Sequence, residues 1–178
     1  ARTGNPQLSD FILDKALFAE MRAAARASES RFLEGYAAIL IDSANLKSAV
    51  RTLRMGKDAD FLAEVLIPGG NTDIDRLLTA GDKDSLSAVF SHTALEKAAA
   101  LGAEAVGGNT MTAFEQACDN AVTAYLSGAK LVSYGSEALI AYICAVEGEI
   151  TAVRMILTGR LAGIAPEVIR ERLRDLYA

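Results

Sequence analysis

The longest regular pattern in the chain lies in residues 29–55, which read ESRFLEGYAAILIDSANLKSAVRTLRM. Its inward-facing positions recur at alternating steps of four and three residues, as on one face of a helix in a bundle: Phe32, Tyr36, Ile39, Ser43, Leu46, Val50 and Leu53. At a rise of about 1.5 Å per residue this segment is a rod of roughly 40 Å. Gly56 follows it, and glycine commonly stands just past a helix end. The pattern predicts one long helix that stops at Gly56.

The end of this helix returns later in the chain. Residues 49–57, AVRTLRMGK, match residues 152–160, AVRMILTGR, at a constant shift of 103 positions. Residues 13–17, LDKAL, are echoed by residues 118–122, CDNAV, at a shift of 105. Repeats this long favour duplicated helical lobes over a stacked array of short units. We therefore predict two pseudo-repeated lobes, residues 1–106 and 107–178, and a scaffold in preference to an enzyme.

Helical periodicity and capping signals cover most of the remaining chain. They predict helices at residues 7–27, 58–66, 72–80, 84–90, 94–101, 112–126 and 136–159, and a last helix opened by Pro166. The first of these has a predicted apolar face of Leu8, Phe11, Ile12, Leu17 and Met21. No strand alternation of useful length is present, so the predicted fold is all-α.

Several residues carry specific signals for helix ends. Thr72 with Asp75 and Thr112 with Glu115 have the spacing of capping boxes, and Ser136 is a predicted N-cap. Gly159 is the predicted stop of the second long helix, at the position equivalent to Gly56. Each of these predictions concerns one residue and its local hydrogen bonds.

Composition excludes several classes of protein. The chain has 18 basic and 23 acidic residues, a net charge of -5, and these charges are mixed along its length, which argues against a nucleic-acid backbone as the main partner. The longest uncharged stretches, such as residues 138–146, are far shorter than the roughly 20 apolar residues of a spanning helix. We therefore expect no direct membrane span.

The two cysteines, Cys118 and Cys144, lie inside helical patterns, and we expect buried free thiols in a reducing compartment, not a disulfide. The sequence shows no signal peptide and begins at Ala1 without an initiator Met, so we expect further N-terminal sequence to precede it.

Glu147 and Glu149 are the most informative charged residues. The repeat aligns Leu46 with Glu149, so a carboxylate replaces a core leucine, and neither glutamate has a basic residue three or four positions away. One interpretation is a contact surface for another subunit. The other is a solvent-facing row, or a pair with an arginine of a neighbouring helix. An acid and base pair is disfavoured, because residues two apart point to different sides of a helix.

Basic residues offer a similar choice between structure and binding. Arg51 and Arg154 are equivalent in the repeat, which favours a shared structural role such as a buried salt bridge. Arg170, Arg172 and Arg174 lie in the last helix, where they either complement the helix dipole or form a docking patch. The predicted partner-interface residues are Glu147, Glu149, Arg154, Arg160, Arg170 and Arg172.

His92 is the one histidine, so no His pair or Cys–His cluster is available for a metal, and we predict no catalytic residue, no metal and no cofactor. The stretches Pro68-Gly69-Gly70-Asn71 and Gly107-Gly108-Asn109 lack a following Gly-Lys-Ser/Thr, so they are predicted turns and not phosphate-binding loops.

The C-terminal segment resembles a known family. Residues 147–150 (EGEI), 154–161 (RMILTGRL) and 163–174 (GIAPEVIRERLR) are similar to the closing signature of the C subunits of V/A-type ATP synthases, the homologues of the d subunit of eukaryotic V-type ATPases. Residues 5–8 (NPQL), 13–16 (LDKA) and 66–70 (LIPGG) also resemble that family. One departure is Gly148, where relatives often have Asn; a mid-helix glycine costs up to about 1 kcal/mol relative to Ala.

The resemblance implies a non-catalytic central-stalk subunit, of which this chain is the C-terminal portion. In that family three helical lobes form a funnel that receives the rotor shaft and sits on the membrane rotor ring, on the cytoplasmic face of the membrane. The implied partners are the shaft and ring subunits, and the implied process is ion transport. Two alternatives stay open: an unrelated all-helical adaptor that binds partner helices, and a small helical enzyme with a deep pocket containing His92.

Overall fold

The computed structural model describes residues 6–132 and 134–177, with side chains from Ser9 onward. Nine α-helices are present in these ranges: α1 (Pro6–Ala27), α2 (Arg31–Arg54), α3 (Ala59–Val65), α4 (Ile74–Thr79), α5 (Lys83–Val89), α6 (Glu96–Val106), α7 (Met111–Ser127), α8 (Ser136–Leu161) and α9 (Pro166–Arg172). A short 3-10 helix, Gly128–Leu131, follows α7. Helices account for 76% of the described residues, which contain no strand. The all-α prediction is confirmed.

Helix α2 is the centre of the molecule. Its N-cap is Ser30, whose hydroxyl accepts the backbone N–H of Leu33 at 3.3 Å. The predicted inward stripe is buried at Ile39, Leu46 and Val50. Other sides of α2 are buried as well, because it contacts α1, α3, α5, α6 and α7. This helix therefore has a partner on nearly every side between residues 37 and 52.

The main core lies where α2 meets α6 and α7. Phe114 and Cys118 of α7 are fully buried against Leu46 and its neighbours. Gly102 allows α6 to approach closely, since a Cβ there would stand 2.7 Å from Val50 Cγ2. The predicted boundary between residues 106 and 107 falls between two helices that share this core. The division into two lobes stays a prediction, because the helices on either side of the predicted boundary share one buried core.

Two buried polar residues of α2 hold the turn that follows α3. The Asn45 side chain donates to the Ile67 carbonyl and accepts the Ile67 N–H, both at 2.8 Å. The Asp42 carboxylate accepts the backbone N–H groups of Asn71 and Thr72 and the Asn71 amide, each at 3.0 Å. Gly70 has no room for a side chain because the Asp42 carboxylate lies against it. The glycine-rich turn is therefore structural, as predicted.

Three predicted N-cap residues were wrong. The cap of α4 is Asp73, whose carboxylate accepts the Asp75 N–H, and Thr72 instead donates its N–H to Asp42. Helix α7 begins at Met111 after an extended Thr110, so Thr112 lies in the first turn. Helix α8 begins at Ser136, and its N-cap is Gly135 with φ of 137°. A capping motif depends only on neighbouring residues. Which residue becomes the N-cap depends on where the backbone changes from non-helical to helical conformation.

The predicted stop at Gly159 was also wrong, whereas the stop at Gly56 is confirmed. Helix α2 ends at Arg54 and Gly56 has φ of 63°. Helix α8 continues through Gly159 to Leu161, and Gly163 has φ of 71°. Gly159 is buried instead because Ile169 of α9 occupies the space that its side chain would need. Gly159 therefore allows α8 and α9 to pack closely and does not mark the end of α8.

The predicted inner face of α1 is only partly correct. Phe11 packs edge-on against Phe61, with ring centroids 6.1 Å apart, and Met21 is half-buried. Ile12 and Leu17 are 68% and 61% exposed, while the side chain of Leu8 lies outside the described residues. The inward residues near the end of α1 are smaller, with Ala25 buried. Helical spacing alone did not identify which of two adjacent apolar rows packs against α2.

Candidate partner interface

Helix α8 is attached to the body mainly near its start. Ala141 is fully buried in a second, small core with Leu126 and Ala129, which Phe32, Tyr36, Cys144 and Tyr177 border. The Ser30 hydroxyl donates to the Glu137 carboxylate at 2.6 Å and lowers the pKa of that carboxyl. The N-cap of α2 therefore also anchors the first turn of α8.

The second half of α8 rests on α9. Gly159 of α8 is buried beneath Ile169, which is itself 6% exposed. Helix α9 is only seven residues long, so it covers one side of α8 near its end. No other element among the described residues covers most of the α8 surface beyond its first two turns.

Large apolar side chains project from this uncovered surface. Ile150, Val153 and Leu157 are 52%, 55% and 57% exposed. The full set of exposed large apolar residues on α8 is Leu139, Tyr142, Ile143, Ile150, Val153, Ile156, Leu157 and Leu161. An exposed apolar surface of this extent is unusual on a monomer and makes this face of α8 the candidate partner interface.

The predicted glutamates lie on α8 and are both exposed. Within the described residues, neither Glu147 nor Glu149 takes part in an ion pair. Glu147 lies beside a cleft that Tyr36 and Cys144 also line. Burial raises the pKa of Tyr36, and the hydrogen bond with Cys144 and the charge of Glu147 add to that shift. Glu149 borders the apolar surface next to Ile150 and Val153.

The predicted arginines divide between two helices. Arg154 and Arg160 are exposed on α8, while Arg170 and Arg172 are exposed on α9. Arg170 approaches Glu167 at 4.0 Å, with both side chains about three-quarters exposed. All six lie on two helices that pack together, and Glu147 and Glu149, two residues apart, point to different sides of α8.

The expected shared role of Arg51 and Arg154 is not seen in both copies. Arg51 bonds Glu115 at 2.7 Å and ties α2 to α7, but its side chain is 56% exposed. Arg154 stands on α8 with no ion-pair partner among residues 6–132 and 134–177. The buried salt bridge expected at both positions is therefore wrong, because their helices have different neighbours.

Sequence reasoning missed the segment that follows α9, residues 173–177, which we call the C-terminal strap. The Asp119 carboxylate of α7 bonds Lys47 at 2.5 Å and the strap residue Arg174 at 2.6 Å. Asn120 accepts the backbone N–H of Asp175 at 3.0 Å. The strap thus lies along α7, and it borders the cleft between α7 and α8. Because Arg174 is 55 residues from Asp119, no local pattern indicated the pair.

The candidate catalytic groups stay apart. His92 is exposed with φ of 61°, and its backbone N–H donates to Glu96 at 3.3 Å. A cleft of about 390 Å³ beside α2 is lined by Asp42, Asp73 and Arg76, and His92 is not among its lining residues. The described part of the chain holds no group of three or more His, Cys, Asp or Glu side chains arranged for a metal. Both cysteines are free, as predicted; Cys118 is buried, whereas Cys144, which was also expected to be buried, is only half-buried.

Comparisons with known proteins agree with the resemblance. The family described as ATP synthase (C/AC39) subunit matches residues 1–172. A curated relative, the C subunit of the A-type ATP synthase of Haloferax volcanii, is 28% identical over 138 residues, which is 75% of this chain and 39% of the relative. The matched part therefore spans well under half of that relative's length. No solved structure matches the chain. In the described ranges no helix has both the length and the apolar character needed to cross a bilayer.

Proposed function

Since this chain belongs to the ATP synthase (C/AC39) subunit family, we propose that it is a non-catalytic central-stalk subunit that couples the rotor shaft to the membrane rotor ring. The family match over residues 1–172 is the observation that carries this proposal. In this role the chain is one part of a funnel of helical lobes, peripheral to the cytoplasmic face of the membrane. Its partners are then the shaft and ring subunits, and torque passes through it to drive ion transport.

The architecture suits a mechanical part. Helices α2, α6 and α7 share one close-packed core, and close-packed interiors are stiff and transmit strain. Helix α8 projects an apolar surface bordered by Glu149 and Arg154, which supports a role in gripping a neighbour. We include Glu147, Arg160, Arg170 and Arg172 in the proposed contact region because they lie on the same pair of helices.

The proposal is tested by separating coupling from catalysis. Membranes from cells that lack this protein should lose ATP-driven ion pumping, measured with a pH- or potential-sensitive dye, while the catalytic subunits still hydrolyse ATP. Expression of the intact protein should restore pumping. Normal pumping without the protein would contradict the proposal, and so would a loss of pumping that its re-expression fails to reverse.

The exposed apolar surface of α8 favours a second candidate, a helical adaptor that binds partner helices outside the ATPase. Affinity purification of the tagged protein from solubilised membranes separates the two. The stalk role requires co-purification with shaft and ring subunits, whereas an adaptor would bring down other partners and leave pumping unchanged on deletion.

A further inference from the structure

The exposed side of α8 has the pattern of a coiled-coil seam. Ile143, Val146, Ile150, Val153 and Leu157 follow one another at steps of three, four, three and four residues. In a heptad, Ile143, Ile150 and Leu157 take the first apolar position, called a, and Val146 and Val153 take the second, called d. This row of residues, continued by Arg160 at the next d position, is the α8 seam.

Helix α8 turns mostly small residues inward, with Met155 half-buried, and most of its large apolar residues outward; the seam residue Val146 is half-buried. Ala141 and Gly159 are buried against the body and α9, and Cys144 and Ala152 are half-buried. The seam residues Ile150, Val153 and Leu157 are more than half exposed. A surface helix normally buries its large apolar residues. The small inward residues therefore pack against the rest of the protein, and the seam residues are available to contact another helix.

Charges on the edges of the seam indicate what that helix is. Glu147 and Arg154 occupy equivalent positions, called e, one heptad apart on the same edge. In an antiparallel pair of helices, e positions face e positions across the seam. A second α8 in antiparallel orientation therefore places Glu147 opposite Arg154 of the partner subunit. Two-fold symmetry makes the same pair twice, since the surface is complementary to itself.

We propose that two copies of the free chain associate through antiparallel α8 seams. Ile150 then packs on Val153 of the partner subunit, and Val146 packs on Leu157 of the partner subunit. Ile143 is covered by the aliphatic stem of the partner's Arg160, whose charged end reaches water. From Ile143 to Arg160 the contact runs along about 27 Å of helix.

The position of Arg160 selects the antiparallel arrangement. In a parallel pair, Arg160 would face Arg160 of the partner subunit within the seam, and like charges there oppose association. A parallel pair would instead use Glu149, at position g, to bond Arg154 of the partner subunit. In the antiparallel pair Glu149 lies beside Ile156 of the partner subunit, so its charge has no ionic partner. The two orientations therefore use different glutamates: Glu147 forms the ion pair in the antiparallel dimer, and Glu149 would form it in the parallel dimer.

The test is sedimentation equilibrium of the full chain at about 1 to 100 µM, a range in which a micromolar dimer dissociates on dilution. We expect a monomer–dimer equilibrium for the wild type and a monomer for Val153→Asp. Glu147→Arg should weaken the dimer about tenfold or more, because two attractive pairs become two repulsive ones. Adding Arg154→Glu to that variant should restore it. Far-UV circular dichroism confirms that each variant remains helical.

Glu149→Arg is the matched control, with the same charge change two residues away. The dissociation constant of the Glu149→Arg dimer should stay within about threefold of the wild-type value. A change of an exposed charge that has no ionic partner alters the free energy of association by roughly 0.6 kcal/mol or less. A wild-type chain that stays monomeric throughout the range would overturn the proposal. Equal weakening by Glu147→Arg and Glu149→Arg, or no rescue by the double charge swap, would overturn it too.

Crosslinking tests the orientation directly. In a Cys144→Ser background, Ile150→Cys with Val153→Cys should yield a disulfide between positions 150 and 153 of different chains, identified by mass spectrometry. Links of 150 to 150 and 153 to 153 would mean a parallel pair and would contradict the proposal. This inference concerns the free chain and does not rest on the stalk role; failure of dimerisation leaves the pumping assay unaffected.

Discussion

Cys118 shows how burial changes the chemistry of a single residue. Its thiol is fully buried in the main core of α2, α6 and α7. Removal from water disfavours the thiolate and raises the pKa of Cys118 to about 12, with Lys47 opposing the shift and Asp119 adding to it. The residue therefore behaves as a small apolar side chain and not as a reactive thiol.

This burial predicts a pH dependence of stability. An ordinary thiol titrates at 9.0, so above that pH the unfolded chain loses a proton that the folded chain keeps. The free energy of unfolding should thus fall as pH rises from about 9 towards 12. Between pH 8 and 10 the wild type should lose about 1 kcal/mol more than Cys118→Ala, measured by urea denaturation. Identical pH profiles for the two proteins would contradict this account.

At the scale of elements, glycines within helices have opposite roles in α6 and α8. A Cβ on Gly102 would press against Val50 and against the Phe114 ring at 3.1 Å, since three helices converge there. A Cβ on Gly148 would meet nothing within 4 Å. The first glycine permits close packing, whereas the second only weakens its own helix.

The pair makes a matched test by alanine substitution. Gly102→Ala should destabilise the protein by about 1–3 kcal/mol, because the core must shift to admit a methyl group. Gly148→Ala should stabilise α8 by about 0.5–1 kcal/mol through helix propensity alone. Thermal melting followed at 222 nm compares both with the wild type. A stabilising Gly102→Ala would mean that the helices do not approach as described.

Over the whole molecule, the C-terminal strap links the body to the α8–α9 pair. Asp119 reaches both Lys47 and Arg174, while Gln116 donates its amide to the Leu173 carbonyl at 2.5 Å. Tyr177 at the far end lies under the Lys130 ammonium, 4.8 Å from the ring centroid. Helices α7 and α8 meet in the small core of Leu126 and Ala141, and the strap borders the cleft between them.

Loss of the strap's ion pair should loosen one end of the molecule and leave the core intact. In Asp119→Asn, hydrogen exchange should speed up in residues 173–177 and in α9, while α2 and α6 keep wild-type protection. The loss of stability should be about 1 kcal/mol and shrink with added salt, because the three side chains are partly exposed. Asp175→Asn is the control, since only the backbone of Asp175 bonds Asn120. Equal exchange in both variants would contradict the role of Asp119.

The local pattern was sufficient for the order of the helices, for the stop at Gly56 and for the turn around Gly69, because helix formation and turn chemistry depend on neighbouring residues. It was wrong at two helix ends: α6 continues to Val106, past the predicted end at residue 101, and α9 ends at Arg172, so Arg174 is not in the last helix. The same reasoning failed at Gly159 and Gly135. Gly159 is placed by Ile169 of α9, and Gly135 occupies the N-cap position that was predicted for Ser136. Motifs along residues 147–174 also indicated the family, since motif order is a property of the chain alone.

Burial could be predicted only in part: the predicted stripe of α2 is buried at Ile39 and Val50, but the repeat did not predict burial elsewhere. Leu46 and Glu149 are aligned by the repeat, yet one is fully buried and the other exposed. Leu13 and Cys118 are likewise aligned, and here the first is 65% exposed while the second is buried. An apolar stripe predicts that one face of a helix is covered. Which element covers that face depends on residues distant in the chain. Folding therefore surrounded α2 on nearly every side and left most of the large apolar residues of α8 exposed.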